Sequence, residues 1–406
     1  MSESVSSRRL RWIAPGAVAA AIALAAAGST VASASAHPVL PARTAAQLLV
    51  AVQQARVTGM SGTIVETVKL GLPELPSPPG GDVGLSWQNL LTGSRTLRVW
   101  LAGPTQERVA LLGALSESDI VRNGQDIWTY SSTTRQVTHV RLAAATTSPM
   151  AGIPTAATLT PQQAATQALA AIDPSTAVTV DRTARVADQA AYQLVLTPRD
   201  PRTLVRRVQI AVDAATSIPL RVAVYARGSS KPAIQVGFTD VSFHAPDTSV
   251  FHFIPPAGAT VIQQTPRAAL GSLFTGNGVS AYGMSSGHAM GTVRPLGALR
   301  SLRGTRRVTG RVIGSVLNGP TALIGSRGST RLIGSGWTTV FEITGGTSAS
   351  SLQANPLFGK LATPVPGGEL VSTALVSVLF TPDGRVFVGA VSPAALEQVA
   401  ATGRAL

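Results

Sequence analysis

The chain has 406 residues, a net charge of +14 and no cysteine. That length exceeds one small core, so one large domain with appended segments is expected, and without disulfides apolar burial alone must hold an exported domain together. Charged residues make up 13% of the chain and Arg far outnumbers Lys, so the basic balance reflects codon bias in part; no RNA- or DNA-binding motif accompanies it, and nucleic acid is not an expected partner.

Arg8, Arg9 and Arg11 precede an Ala-rich apolar run over 13–27, and Ala34-Ser35-Ala36 offers a small-residue cleavage site before His37. Residues 1–36 are therefore read as a secretory signal peptide, which makes the protein exported; an uncleaved signal anchor is the alternative. Thr44 can cap a helix running to about Arg56 with Leu48, Leu49, Val52 and Ala55 on one face, stopped by Gly59. Strands follow at 63–70, 95–101 and 106–112, the first two separated by a proline-crowded loop at 71–81. A hairpin over 119–130 is predicted to turn at Asn123-Gly124 in type I′ geometry, and another strand covers 136–142.

Residues 143–159 read as a loop. Thr160, Pro161 and Gln163 then form a capping box that starts a helix ending before Asp173-Pro174. Strands are predicted at 177–181, 190–196, 204–213, 220–227, 233–243 and 250–254. The last alternates Phe251 and Phe253 against His252 and stops at Pro255-Pro256. About ten strands with two helices argue against βαβ units and for consecutive antiparallel pairing. The expected class is α+β, mainly antiparallel β, with a strongly curved sheet and helices covering its concave face. Alternation nominates Leu97, Val99, Leu101, Ile127, Val208, Ile210, Val212, Phe251 and Phe253 as the lining of that face; a slip of one residue would reverse every assignment.

Residues 261–330 are rich in Gly, Ser and Arg and read as a linker. Arg300, Arg303, Arg306 and Arg307 within it are candidates for contact with an anionic membrane surface, although a solvated arm is the readier explanation. Gly283-Met284-Ser285-Ser286-Gly287 fits the nucleophile-elbow pattern but lacks its flanking strand and helix. Strands are predicted at 332–343, 371–380 and 385–391, the last two joined through Pro382-Asp383-Gly384, and Ser392-Pro393 opens a final helix. Segment 331–406 has too few strands for a core of its own and is expected to dock on the main domain and extend its sheet. The five histidines lack metal-ligand spacing, the acidic residues are scattered, and no phosphate-binding loop is present. No catalytic residue, metal or cofactor is nominated, and Trp87, Trp100, Trp128 and Trp337 read as core more readily than as cavity lining.

Four stretches carry a resemblance: NGQDIWTY at 123–130, AYQLVLTP at 191–198, Val212-Asp213 with TSIPL at 216–220, and FHFIPPAG at 251–258. Together, in this order, they resemble the LolA/LolB/LppX-like superfamily, with its RseB-like and sporulation-protein-like members, over 44–260. The family's glycine near Ala187-Asp188 is missing. The resemblance implies a half-open antiparallel β-barrel with helices in its mouth and an apolar cavity for the acyl chains of lipids or lipoproteins. It implies a non-enzymatic carrier or, in the alternative, a regulator of envelope stress signalling that binds a membrane-bound anti-sigma factor or another membrane protein such as a transporter.

Overall fold

The computed structural model describes residues 38–71, 92–113, 116–142, 160–170, 172, 174–264, 307–308, 329–345 and 361–406. The predicted signal segment, Ser285, Trp87 and the side chains of Arg300, Arg303, Arg306 and Arg307 lie outside the described residues.

Two sheets contain nearly all of the regular structure. The larger is curved, does not close into a barrel, and has twelve strands. In chain order they are β1 (Gly59–Lys69), β2 (Thr92–Ala102), β3 (Gln106–Leu112), β4 (Glu117–Asn123), β5 (Asp126–Ser131), β6 (Gln136–Arg141), β7 (Thr176–Val186), β8 (Gln189–Pro198), β9 (Val205–Asp213), β10 (Pro219–Ala226), β11 (Pro232–Ser242) and β12 (Thr260–Gln264). Their spatial order is β12-β6-β5-β4-β3-β2-β1-β11-β10-β9-β8-β7. Two up-and-down runs, β1–β6 and β7–β11, meet at the antiparallel β1–β11 pair. Helix α1 (Ala45–Gln54) precedes the first run, and α2 (Pro161–Ala170) joins the two. Both helices start as the sequence dictates. Thr44 and Gln47 form a reciprocal capping box on α1, and Thr160 and Gln163 form another on α2.

Two local expectations are corrected. The β4–β5 hairpin closes on the Asn123–Asp126 pair, so its turn is Gly124-Gln125, with φ of 63° at Gly124. A glycine at the first central position makes a type II′ turn, one residue later than the predicted type I′. Residues 250–254 are not a strand. Asp247 accepts a hydrogen bond from the Ser249 backbone N–H and caps a short 3-10 turn over Thr248–Phe251, after which the chain runs extended to the prolines. Beyond them Gly258, at φ 76°, turns the chain into β12, which pairs in parallel with β6. Pro255-Pro256 is thus a corner between two segments of one domain.

The second sheet has seven strands: β13 (Arg307–Val308), β14 (Ser329–Ile333), β15 (Val340–Thr344), β16 (Thr363–Val365), β17 (Gly368–Ser372), β18 (Ser377–Phe380) and β19 (Val386–Gly389), in the order β13-β14-β15-β19-β18-β17-β16. The predicted strands over 332–343 and 371–380 are each two strands, split by a 3-10 turn at Gly336–Thr338 and by a turn around Thr373. Helix α3 (Pro393–Thr402), capped by Ser392 and ended by Gly403 in the left-handed region, buries Leu396 and Val399 against Ile333, Leu379 and Phe387. This segment has its own core and sheet instead of extending the larger one. It touches the larger sheet through the isolated bridge between Thr203 and Val391, the Ala374 N–H donated to the Leu70 carbonyl, and the Trp337 Nε1 donated to Thr176 Oγ1 at 2.8 Å.

The β7–β8 turn is Ala187-Asp188, with φ of 48° and 60°. Both positions need positive φ, and a β-carbon at such a position costs about 1–2 kcal/mol. Asn tolerates the left-handed region better than Ala. Ala187→Asn is therefore expected to raise unfolding stability by about 0.5–1 kcal/mol, read as a higher urea midpoint with an unchanged slope. An unchanged or lower midpoint contradicts the turn assignment.

Candidate functional site

Cross-strand register assigns every strand residue of the larger sheet to one of two faces. On the first face Leu97 stands opposite Ile64 and Leu111, and Ile64 stands opposite Phe238. One row runs Glu66, Val236, Val222, Ile210 and Leu194, and another runs Val68, Ile234, Val224, Val208 and Leu196. Seven of the nine nominated lining residues, Leu97, Val99, Leu101, Ile127, Val208, Ile210 and Val212, share this face. Leu48 and Val52 of α1 and Ala165 of α2 belong to the same apolar cluster as its β1, β2 and β8–β11 residues.

Towards β4–β6 the same face continues into a second cluster, Ile120, Ile127 and Val140, with Leu142 against it; among the described residues it contains no helix residue. Half-buried Val109 bridges the two clusters, directly opposite Val99 on one side and Ile120 on the other. Gly62 follows Val99 in that row. A β-carbon there would lie 2.6 Å from the Asp240 carbonyl oxygen and 2.9 Å from the Phe238 ring, so the missing side chain lets that ring lie over the strand.

Charge enters this face in few places. Arg122 is buried opposite Ile127, and its Nε donates to the Gly124 carbonyl at 3.2 Å. Arg95 and Glu66 are opposite each other, with a 3.4 Å ion pair and side-chain exposures of 9% and 12%. Burial pushes the Glu66 carboxyl above its ordinary range, against the opposing pull of Arg95.

Phe251 and Phe253 lie on the opposite face. The strap 243–254 crosses that side, where the Val250 carbonyl accepts from Arg108 Nη1 at 3.5 Å and the Phe253 ring stacks on Trp128 with centroids 5.5 Å apart. Trp128 and Arg108 are on this face because the register runs Trp100, Arg108, Val121, Trp128, His139 across β2–β6. Phe251 is fully buried there. The predicted alternation fails because the 3-10 turn rotates the two phenylalanines out of a period-two pattern. Trp100 and Trp128 sit on this face too, and Trp337 packs between the sheets. No group of three or more His, Asp or Glu able to hold a metal ion occurs among the described residues.

No protein-family model matches the sequence and no curated protein matches it. Solved structures of the LolA superfamily and of MucB are among those the fold is similar to. The MucA/MucB complex of Pseudomonas aeruginosa matches at 16% identity over 87% of this chain and 94% of that one, with a TM-score of 0.36. A LolA superfamily protein from Nitrosomonas europaea matches at 12% identity over 52% and 99%, with a TM-score of 0.21. An uncharacterized conserved protein from Thermus thermophilus matches at 13% over 54% and 99%, with a TM-score of 0.30.

Glu66 yields a pH prediction. Its folded pKa is raised above the ordinary 4.5, so the native state binds more protons than the unfolded chain between the two values. Its contribution is therefore most favourable below about pH 4.5 and declines as pH rises through the folded value. The difference in unfolding free energy between the wild type and Glu66→Gln should move in that direction from acid to neutral pH; a difference constant with pH contradicts the burial of this carboxyl.

Proposed function

We propose that this chain is an exported, non-enzymatic binding protein that seats an acyl chain, of a lipid or a lipoprotein, on the apolar face of its larger sheet beside α1 and α2. The carrying observation is the continuity of that face. One apolar surface passes from the helix-packed cluster through Val109 to Ile120, Ile127 and Val140, where no described helix contributes to the cluster. A chain laid along Leu101, Val99, Val109 and Ile120 exchanges water for side-chain contacts along its whole length. Each buried methylene contributes about 0.8 kcal/mol, so a long chain gains on the order of 10 kcal/mol before the cost of association. Such a site needs no polar motif. The buried Arg95–Glu66 and Arg122 charges are held by side-chain and backbone partners, in an arrangement without the nucleophile–base pairing that hydrolysis requires. The signal-like N-terminus supports an extracytoplasmic location.

A regulatory reading, in which a membrane-bound anti-sigma factor or other membrane protein is the partner and lipid is an input, draws support from the outer edges of β7 and β16, which pair with no described strand and can accept an added one.

The test is titration of the purified full chain with a fluorescent fatty acid. Val109→Asp and Ile120→Asp put a charge into the middle of the apolar path and should weaken binding at least tenfold. Arg98→Asp, on the opposite face, should leave it unchanged. Equal affinities for all three variants, with circular dichroism showing each folded, sink the assignment of the face.

A further inference from the structure

The outermost row of the opposite face ends in a titratable group that joins the last strand to the sheet. Register places Trp128 directly opposite His139, and His139 directly opposite Gln263 of β12. The His139 ring stacks on Trp128 at 3.9 Å with an 11° interplanar angle. Its Nε2 lies 2.8 Å from Asp126 Oδ1 and its Nδ1 lies 2.8 Å from Gln263 Oε1. A carboxylate only accepts, so Nε2 donates to Asp126; the Gln263 amide turns its oxygen to Nδ1, which can donate to it only when the ring carries both protons. Oxygen at both nitrogens is the donor pattern of the imidazolium. In the neutral ring one nitrogen lone pair faces an oxygen lone pair until the amide turns over and the charge-assisted bond is lost.

We propose that His139 is a proton-operated latch on β12: protonated, it holds the strand to the sheet edge, and on losing its proton it loosens it. β12 has little else to hold it. Its residues are Thr-Val-Ile-Gln-Gln, all but Gln264 exposed, with Val261 at 44% and Ile262 at 37%. It pairs on one side only among the described strands, by a five-residue parallel ladder. It therefore belongs to the low-stability end of the structure, where one side-chain bond changes local opening.

The charged surroundings favour control by this histidine. Asp126 on β5 is the acidic group that meets the ring. Arg141, exposed on β6, is directly opposite Asp126 in the register. β12 carries no titratable side chain, and the strap 243–254 carries His244, Asp247 and the exposed His252. One strand further in, Asp119 is paired with Arg108 at 2.8 Å.

The experiment is hydrogen–deuterium exchange of the full chain from about pH 5 to pH 8, normalised for intrinsic rates, with His139→Phe and Gln263→Ala as variants. His139→Phe keeps a flat ring on Trp128 without a proton to lose, and Gln263→Ala leaves the ladder intact without the acceptor. In the wild type, protection at residues 261–264 should fall roughly fivefold as pH rises, the difference expected between a charge-assisted and a neutral hydrogen bond. Both variants should show the weaker protection at all pH values. A wild-type profile flat with pH, a Gln263→Ala profile that keeps the wild-type slope, or an equal change in β9 and β10 amides would overturn the latch.

Discussion

Cross-strand register carried from β6 through β1 and β11 to β8 is the constraint on which the rest depends. Side chains alternate with a period of two, so a single register error anywhere in that path would move one half of the apolar face to the other side. The sheet avoids this with turns that leave little freedom. Gly124 opens a two-residue turn, and Asp213 Oδ2 accepts from the Thr216 backbone N–H and hydroxyl, both at 2.7 Å, pinning the β9–β10 connection. The register shifts between Thr63 and Ile64 on the β11 side, where the Phe238 ring lies over Gly62, and again near the ends of β10, between Pro219 and Arg221 and beyond Val224. The outcome is one surface on which Ile127 and Ile210, on strands with six others between them, face the same way.

The two faces have different physical characters. Leu48 and Val52 of α1 and Ala165 of α2 join the apolar cluster that contains the aliphatic residues of the first. On the second, the strap 243–254 crosses a row of Trp, Arg and His side chains, held by ring stacking and by a guanidinium bound to its backbone. A strap with two aromatic anchors can be short, and it leaves the sheet edge free for β12 to add in parallel. The aliphatic face suits a chain-like apolar ligand, and the aromatic face suits a folded-back segment of the protein itself.

Much of this was legible in the sequence where the signal was local. The helix cap at Thr44, the capping box at Thr160, the alternating strand 95–101, the strand 106–112 and the Ser392-Pro393 helix start all appear where composition and spacing place them. The face shared by Leu97, Val99, Ile127, Val208, Ile210 and Val212 followed from alternation alone. What failed needed information from outside the local window. VFHFI alternates like a strand, but Asp247 caps a 3-10 turn just upstream and redirects both phenylalanines. β12 has an ordinary strand composition but stands next to a Gly/Ser-rich stretch whose character masked it. The seven-stranded sheet was underestimated because its turns at Gly336 and Thr373 interrupt what read as single long strands. The His139–Gln263 contact spans 124 residues and joins a parallel pair, which no hairpin rule anticipates.

Binding of an acyl chain on the aliphatic face is the central claim, and native mass spectrometry of the full chain, purified from its own host without detergent, tests it most directly. The account predicts a bound species that adds the mass of an acyl lipid or lipopeptide and that disappears in the Val109→Asp variant. A protein that flies only at its own mass, and takes up no fatty acid on incubation, would contradict it.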